Sequence, residues 1–509
     1  MNKLIFLVVF TSLSFLSFGQ KLKFKIEGQK DTTIFLVKYL GKGLYYADTA
    51  EMKNGVVEYD GAKQEPGVLA VLLPGNKYFE FIYDNQEINI ETKAPDFVET
   101  MNVKKSEDNR VFYDYMRFLK TQREKANKLS EERSKLSKED EKYTSLTEKI
   151  NAISKEVVSY QKELVKNNKG KLVSKIVKMG IDIEVPEAPV DADGKKIDSL
   201  FAYHYYRDHY FDNIDFNDDR LVNSSVFHSR LESYFSKSMM VQHWDTIVKY
   251  AFKLCDQLDP KSKSFSYCVN WITSSYEKSN IMGMDKVFVK MGERYYCTKN
   301  SEGESLATWM DDEKLQKLCE KVQANKNLVM GVKPPNLILR DTTDANWSDF
   351  YSLESEYTIL YFWDPGCGHC KKTTPKMQKL YIEKFKDRNI DIFAIGKAVG
   401  EDFEAWKKFI KEHNLTFINV AVTESLFAAA TKDARQFVPE FTTIESLNYQ
   451  STYDIFSLPR VFLLDKDKKI IGKQMSVSQL EDMLDHLQGV KDAPKLFPPN
   501  PEEDEQMQH

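Results

Sequence analysis

The sequence predicts an α/β domain at the C-terminus, preceded by a small β-rich domain and a helical domain. Residues 21–92 contain short apolar runs separated by Gly- and Pro-containing turns, which is typical of antiparallel strands. From residue 106 onward, apolar residues recur every three to four positions, which indicates helices. Between residues 336 and 487, strand-like and helical segments alternate, as expected for a sheet covered by helices.

These patterns divide the chain into five segments. We expect a signal peptide at 1–19, a β-rich domain at 20–103, a helical domain at 104–330, an α/β domain at 331–489 and a disordered tail at 490–509. The net charge of −5 over 509 residues is small, and the basic residues are scattered among acidic ones. The composition therefore gives no indication of nucleic-acid binding.

The N-terminus is typical of an exported protein. Lys3 precedes an apolar run at 4–18, and Ser17 and Gly19 place small residues at −3 and −1 of a cleavage site after Gly19. Cysteine does not follow this site, so a lipid anchor is not expected. Other apolar segments fall short of about 20 residues, so we expect a soluble mature chain without a membrane span, located in the periplasm or cell envelope.

The first two domains are predicted from their periodicities. Leu22, Phe24 and Ile26 alternate with lysines, and the following runs suggest a small antiparallel sandwich or barrel. Further on, the helical spacing predicts two antiparallel helices at 111–136 and 138–165. A capping signal formed by Ser137 and Asp140 separates these helices.

The C-terminal domain is predicted to alternate strands and helices. We expect strands at 336–339, 359–363, 390–395, 416–422, 460–464 and 469–472. We expect helices at 371–384, 402–413 and 426–437, and the last of these is an insertion near the active face. A final helix is capped by Ser476 or Ser478 and ends at Gly489.

Two cysteines within residues 357–375 supply the chemistry of this domain. An apolar strand ends at Pro365-Gly366, and Cys367 and Cys370 follow at the start of a helical segment. A thiol at a helix N-terminus faces unpaired N–H groups and the positive end of the helix dipole, which favour a thiolate. A second thiol one turn later can close a disulfide with the first. The spacing therefore predicts a redox site.

The same residues carry a family resemblance. Phe362-Trp363, the Cys367-Gly368-His369-Cys370 box, Pro375 and the Leu458-Pro459 pair resemble the active-site strand, helix and cis-proline loop of thioredoxin-fold proteins. The chain is most similar to the TlpA/ResA-like thiol-disulfide oxidoreductases, which are secreted bacterial proteins with extra domains. The resemblance covers residues 332–487, about a third of the chain.

The resemblance implies roles for these residues. Cys367 is expected to attack a disulfide of a partner protein and Cys370 to resolve the mixed disulfide, without a cofactor. Pro459 in cis is expected beside the disulfide and Trp363 beneath it. A protonated His369 can stabilise a thiolate, which favours an oxidant or isomerase over a strong reductant. The implied partners are protein thiols or disulfides and a membrane or periplasmic electron donor.

Two positions depart from the family pattern. Many thioredoxins carry a buried acid six residues before the first cysteine, where this chain has Tyr361. Cytochrome-maturation reductases often carry Glu three residues after the second cysteine, where this chain has Thr373. Deprotonation of the resolving thiol must then use water or another base, such as Asp364 or Glu401. Fast thioredoxin-like reduction and a cytochrome-maturation role are therefore both in doubt.

Other interpretations of the box are weaker. A zinc site would need a second pair of Cys or His ligands with suitable spacing, and the sequence offers none. Haem attachment would need His at position 371, which is Lys371. A structural disulfide is a third alternative, but such a short loop would contribute little stability. We therefore expect no metal and no cofactor.

The remaining cysteines and the overall function leave alternatives open. Cys255, Cys268, Cys297 and Cys319 allow three pairings, and they could equally be buried without partners. A thiol peroxidase would need Thr or Ser where Asp364 stands. A non-enzymatic envelope binding or assembly protein with an accessory redox domain is the other alternative. The sequence does not indicate the physiological partner, the direction of electron flow or the oligomeric state.

Overall fold

The computed structural model describes residues 20–400, 402–490 and 494–501, so the predicted signal peptide at 1–19 lies outside the described residues. The chain forms two compact units. Among the described residues, unit 1 comprises those up to 241 and 257–267, and unit 2 comprises 242–256 and those from 268 onward. Within the described part of the chain, no helix combines the length and the apolar character needed to cross a bilayer.

Unit 1 begins with a β-sandwich. Its elements are β1 (Lys21–Glu27), β2 (Thr33–Leu40), β3 (Gly43–Glu51), β4 (Val56–Asp60), β5 (Gly67–Leu73), β6 (Lys77–Tyr83), β7 (Ile88–Lys93), α1 (Phe97–Thr100) and β8 (Asn102–Lys105). Two four-stranded sheets form, with strand orders β4-β1-β7-β8 and β3-β2-β5-β6. Phe24 of the first sheet contacts Phe79 and Phe81 of the second, at ring-centroid distances of 5.8 and 4.9 Å. Alternating apolar side chains therefore build the core between the sheets.

Helices follow the sandwich. They are α2 (Glu107–Arg133), α3 (Glu141–Asn167), α4 (Leu172–Met179), α5 (Phe201–His209), α6 (Ser225–Tyr234), α7 (Trp244–Cys255), α8 (Lys263–Glu277), α9 (Asp285–Met291) and α10 (Asp312–Lys326). The predicted long pair corresponds to α2 and α3. The second helix starts later than predicted, because the side chain of Asp140 accepts a hydrogen bond from the backbone N–H of Lys142 and caps the helix there.

The helical part of unit 2 contains one disulfide bond. Cys297 ends a π-helical segment, Gly292–Cys297, and is bonded to Cys319 on α10. The cysteines at 255 and 268 are buried free thiols. The structure thus selects one pairing and two unpaired thiols from the alternatives that the sequence left open.

The α/β domain has a seven-stranded mixed sheet. Its elements are β9 (Ile338–Asp341), β10 (Trp347–Asp349), β11 (Tyr357–Trp363), α11 (Gly368–Leu380), β12 (Ile390–Gly396), α12 (Asp402–Glu412), β13 (Ile418–Ala421), α13 (Glu424–Asp433), α14 (Ile444–Leu447), α15 (Tyr449–Thr452), β14 (Arg460–Leu464), β15 (Ile470–Lys473) and α16 (Val477–Leu487). The strand order is β10-β9-β13-β12-β11-β14-β15, with β11, β12 and β13 parallel. The predicted fold class, an α/β thioredoxin fold preceded by β-rich and helical regions, is confirmed.

The central strand β11 separates two cores. Ile359, Tyr361 and Trp363 face the core that includes apolar side chains of α11 and α16. Leu360 and Phe362 face the opposite core. Because side chains alternate along a strand, this register places a tyrosine and a tryptophan beneath the helix that carries the cysteine box.

Residues 494–501 include a segment that contacts the C-terminal helix of the domain. The backbone N–H groups of Leu496 and Phe497 donate hydrogen bonds to the carboxylate of Glu481, at 2.9 and 3.2 Å. Both side chains also contact the core beside α11 and α16. A buried carboxylate needs such donors, so these two hydrogen bonds favour this position of the segment.

Candidate redox-active site

The first cysteine of the box lies where β11 passes into α11. Cys367 is the N-cap residue, with extended backbone angles, and its carbonyl accepts the N–H of Lys371 at 3.0 Å. The turn before it is held by Asp364, whose carboxylate accepts the N–H of Gly366 at 2.5 Å and whose carbonyl accepts the N–H of Cys367 at 3.1 Å. The Cys367 side chain is half-buried and reaches the surface beside the free N–H groups of the helix start.

The second cysteine lies behind the first. Cys370 is fully buried, and its free thiol is in hydrogen-bonding contact with that of Cys367. Burial raises the pKa of the Cys370 thiol well above its ordinary value, and Cys367 and the negative charge of Asp364 raise it further. The backbone N–H of Asp364, 3.5 Å from Cys370 Sγ, opposes this shift in part. The two thiols therefore differ sharply in exposure.

A loop distant in sequence completes the surface around Cys367. The peptide bond between Leu458 and Pro459 is cis, and Pro459 is buried. The Cys367 thiol donates to the carbonyl of Leu458, with 3.4 Å between Sγ and O. Backbone polar groups of this loop are therefore within reach of any chain segment that approaches the sulfur.

The floor of the site is aromatic. Trp363 is buried and its ring centroid lies 5.2 Å from that of Phe409 on α12. Tyr361 is also buried, and its hydroxyl shares a 2.8 Å hydrogen bond with that of Thr374 on α11. Burial, followed by the proximity of Cys370, raises the pKa of Tyr361 well above its ordinary value. This phenol stays neutral and does not replace the acid that many thioredoxins carry at this position.

A lysine pairs with the carboxylate of Asp364. Lys397 Nζ lies 3.5 Å from a carboxylate oxygen of Asp364 and 2.9 Å from one of Asp402. Its backbone N–H donates to the carbonyl of Trp363 at 3.0 Å, which fixes the position of the residue. Of the two acids that the sequence suggested as bases, Asp364 lies beside the buried thiol and Glu401 lies outside the described residues.

The remaining predicted residues lie on α11. His369 is exposed between the two cysteines, and Pro375 lies inside the helix, where it lacks the N–H that would bond the carbonyl four residues earlier. Thr373 is half-buried. In the described part of the chain, no cluster of three or more His, Cys, Asp or Glu side chains could hold a metal ion.

Sequence analysis did not identify Thr374 or Lys397. Neither belongs to a motif, and each reaches the site only through the packing of α11 and β12 against β11. A threonine inside a predicted helix and a lysine after a predicted strand carry no signal of their own. Cys370 and Trp363 lie in one buried cluster against which Cys367 packs, and the loop that contains Pro459 contacts the Cys367 thiol through the carbonyl of Leu458.

Comparisons with known proteins agree with this geometry. Residues 355–470 match a family model described as "Thioredoxin-like", and residues 21–112 match one described as "Domain of unknown function (DUF4369)". The thiol-disulfide oxidoreductase ResA of a Bacillus cereus strain is 27% identical over 165 residues, which cover 32% of this chain and 80% of that protein. ResA of Geobacillus kaustophilus is 25% identical over 166 residues, which cover 32% of this chain and 79% of that protein.

A solved structure is also similar to part of this chain. It is a domain of a possible thiol-disulfide isomerase from Cytophaga hutchinsonii, and the two sequences are 31% identical. The match covers 32% of this chain and 97% of that chain, with a TM-score of 0.26. The ResA relatives support thiol-disulfide oxidoreductase activity for the C-terminal domain. By that domain, this multidomain chain is a thioredoxin-like protein related to the ResA thiol-disulfide oxidoreductases.

Proposed function

We propose that this chain is an exported thiol-disulfide oxidoreductase that exchanges disulfides with partner proteins through Cys367 and Cys370. The observation that carries the proposal is the asymmetry of the box. Cys367 is accessible at a helix start, next to the carbonyl of Leu458, whereas Cys370 is buried directly behind it. An accessible attacking thiol and a protected resolving thiol are what a two-step exchange requires.

The exchange balances as a transfer of two electrons and two protons. The Cys367 thiolate attacks one sulfur of a partner disulfide, forming a mixed disulfide and releasing the other partner sulfur as a thiolate that takes up a proton. The Cys370 thiolate then attacks Cys367 Sγ, which closes the box disulfide and releases the second partner thiol. An external dithiol or disulfide, according to direction, restores the starting state of the box.

The second step needs a proton acceptor, and we assign this role to Asp364. Cys370 is a protonated thiol at neutral pH, because burial raises its pKa. Asp364 is in contact with Cys370 through its backbone, and its carboxylate is half-buried against Lys397. Tyr361 is neutral and buried, so it is unsuited to accept the proton.

The proposed location is the periplasm or cell envelope. The apolar, lysine-flanked run at residues 4–18 supports export. The disulfide between Cys297 and Cys319 supports the same conclusion, because structural disulfides persist mainly outside the reducing cytosol. Protein thiols or disulfides and an envelope electron donor are the proposed partners.

The direction of electron flow follows from His369 in this proposal. This imidazole is exposed between the cysteines, where its protonated form stabilises a thiolate and so the reduced box. A stabilised dithiol makes a better oxidant. We therefore expect a reduction potential less negative than that of thioredoxin, which is about −270 mV.

A redox titration of the full chain against glutathione tests the function. Wild-type protein should take up and release two electrons, and Cys367→Ala should take up none through the box. Cys255→Ala is the matched control, because it removes a buried free thiol outside the box and should titrate as wild type. Equal exchange by wild type and Cys367→Ala would refute the proposal.

Trapping separates this function from the binding or assembly alternative. Cys370→Ala leaves the attacking thiol in place without its resolving partner, so mixed disulfides with envelope proteins should accumulate. Partners that are retained equally when both cysteines are replaced would indicate a binding protein instead.

A further inference from the structure

Two cavities of the described residues differ in their balance of charge. The larger, of about 720 Å³, lies around Arg460 in unit 2. Charged side chains of both signs line it and pair with one another, as Lys473 does with Asp285 at 2.5 Å. The smaller, of about 440 Å³, lies in unit 1 and is lined mainly by aromatic side chains and carboxylates. We call the smaller one the aromatic pocket.

Hydrogen bonds hold the three walls of the aromatic pocket in place. The walls are the start of β6, the segment around α1 and the first half of α2. The hydroxyl of Tyr113 on α2 donates to the backbone carbonyl of Glu80 on β6. Arg117 on α2 donates to the carbonyls of Val98 and Met101, each at 3.3 Å. These bonds fix α2 against both other walls without filling the space between them, so the pocket exists before any ligand binds.

The inside of the pocket is aromatic. The ring centroids of Phe79 and Phe97 lie 5.5 Å apart, and those of Phe112 and Tyr113 lie 5.3 Å apart. All four residues are buried, whereas Tyr78, another lining residue, is 45% exposed. A group that enters the pocket therefore meets several aromatic rings, whose faces can attract a cation.

The charges around the pocket do not balance. Its lining contains three carboxylates and one ammonium, which belong to Glu80, Asp96, Glu99 and Lys120. Lys120 pairs with Glu99 at 2.8 Å, so these two charges cancel. Glu80 accepts a hydrogen bond from the hydroxyl of Tyr39, which is neutral because burial raises its pKa. Among the described residues, neither Glu80 nor Asp96 has a cationic partner at ion-pair distance.

The other cation near the pocket leaves this excess unchanged. Arg117, which holds α2 to the segment around α1, is paired with Asp114 at 2.6 Å. The pKa of Lys120 is raised chiefly by its hydrogen bond to Glu99, and the charge of Asp96 contributes at longer range. The carboxylate of Asp96 therefore lies near the rim that Lys120 forms. Two carboxylates remain for which the pocket holds no cation.

This combination of rings and unpaired carboxylates decides the class of ligand. A neutral group would cover the carboxylates without pairing them, which costs free energy. A lysine or arginine side chain can pack its methylene stem on the aromatic walls and bring its charged end to Asp96 or Glu80. The exposed ring of Tyr78 offers contact area next to the pocket, which suits a ligand attached to a peptide chain.

We propose that the aromatic pocket binds a lysine or arginine side chain of a partner protein. A volume of about 440 Å³ is within the range of ligand pockets. The inference gives a binding role to a region that matches a family of unknown function over residues 21–112. It goes beyond the proposed redox function and does not depend on the cysteine box.

Fluorescence anisotropy on the full-length protein tests the proposal with two short labelled peptides. They are identical except for a central Arg or Gln. Wild type should bind the Arg peptide about tenfold more tightly, because the Gln peptide lacks both the charge pair and the contact of a cation with the aromatic rings.

Two variants should change this affinity in opposite directions. Asp96→Asn removes an unpaired carboxylate of an exposed residue, so the Arg peptide should bind about threefold more weakly. Lys120→Gln removes the ammonium that pairs with Glu99, so the same peptide should bind about threefold more tightly. Binding of the Gln peptide should stay the same in both. Glu131→Gln is the matched control, because Glu131 is an exposed acid on α2 outside the pocket.

Equal affinities of wild type for the two peptides, or binding of neither, would overturn the proposal. Unchanged binding of the Arg peptide by Asp96→Asn, or weaker binding by Lys120→Gln, would overturn it as well. Competition by ethylguanidinium, a small cation without a peptide chain, tests the source of the ligand. If ethylguanidinium binds more weakly than the Arg peptide, a protein side chain is supported, and equal binding rejects that source.

Discussion

Replacement of Asp364 by Asn separates two roles that its carboxylate can have towards Cys370. As a negative charge, the carboxylate raises the pKa of the buried thiol, so its removal would make the thiolate easier to form. As a proton acceptor, it speeds deprotonation, so its removal would slow the second step of the exchange. The two roles predict opposite changes in the rate at which the mixed disulfide is resolved.

The size of each change follows from the geometry. The backbone nitrogen of Asp364 lies 3.5 Å from Cys370 Sγ. Its carboxylate is then roughly 7 Å or less from the sulfur, where a unit charge contributes about 2 kcal/mol at an effective dielectric constant of about 20. The positive charge of Lys397, 3.5 Å from that carboxylate, offsets part of the effect of Asp364 on the Cys370 thiolate. Nucleophilicity falls with pKa at a slope of about 0.4–0.5, so removing the charge alone would speed resolution by only about fivefold.

Loss of a general base costs about 100-fold or more, which outweighs that gain. We therefore expect Asp364→Asn to resolve the mixed disulfide at least about 20-fold more slowly than wild type. Attack by Cys367 should change little, because the accessible thiol does not depend on this carboxylate for its proton transfer.

The assay is stopped-flow reaction of the reduced protein with an aromatic disulfide such as 5,5′-dithiobis(2-nitrobenzoate). The first equivalent of coloured thiolate reports attack by Cys367, and the second reports resolution by Cys370. Asp402→Asn is the matched control, since Asp402 also pairs with Lys397 and is not in contact with the buried thiol. An unchanged or faster second phase in Asp364→Asn would refute its role as proton acceptor.

Three further predictions concern stability. Replacing both Cys297 and Cys319 by Ala opens a loop of 22 residues and should lower the free energy of unfolding by about 3 kcal/mol, seen in urea denaturation, without changing exchange at the box. Gly396→Ala should lower the free energy of unfolding by about 1–3 kcal/mol, because the added Cβ would lie 2.0 Å from Nε1 of the buried Trp406. Gly368→Ala is the control, since its Cβ would lie in open space and should leave the thermal midpoint unchanged. Burial raises the pKa of Cys370, so above about pH 8.5 the thiol loses its proton in the unfolded chain before it does so in the folded one. The free energy of unfolding of reduced wild type should therefore match its full value below about pH 8.5 and fall by about 1.4 kcal/mol per pH unit above it, relative to Cys370→Ala. Parallel pH profiles of the two proteins would contradict this.

The box could be predicted from sequence because its determinants are local. The apolar run of β11, the break at Pro365-Gly366 and the two-residue spacing of the cysteines each act within a few residues of one another. The first residue of α3 could not be predicted in the same way, because Ser137 and Asp140 can both cap a helix. Only the structure shows that the carboxylate of Asp140 accepts the N–H of Lys142. Local signals therefore fix the identity of an element better than its first residue.

The pairing of Cys297 with Cys319 and the cavity around Arg460 could not be predicted in the same way. Spacing along the chain does not say which of four cysteines approach one another, because that depends on how α10 lies against the π-helical segment. The cavity joins residues near position 280 to residues near position 460, so its charge balance exists only after folding.

The strand pairing beside the box bears on partner choice. Arg460 pairs with Phe362 across the antiparallel strands β14 and β11, and Cys367 follows β11 by four residues. Thiol chemistry by itself does not distinguish one partner disulfide from another, so selection must come from groups held at a fixed distance from the sulfur. Backbone hydrogen bonds between β11 and β14 provide that fixed distance.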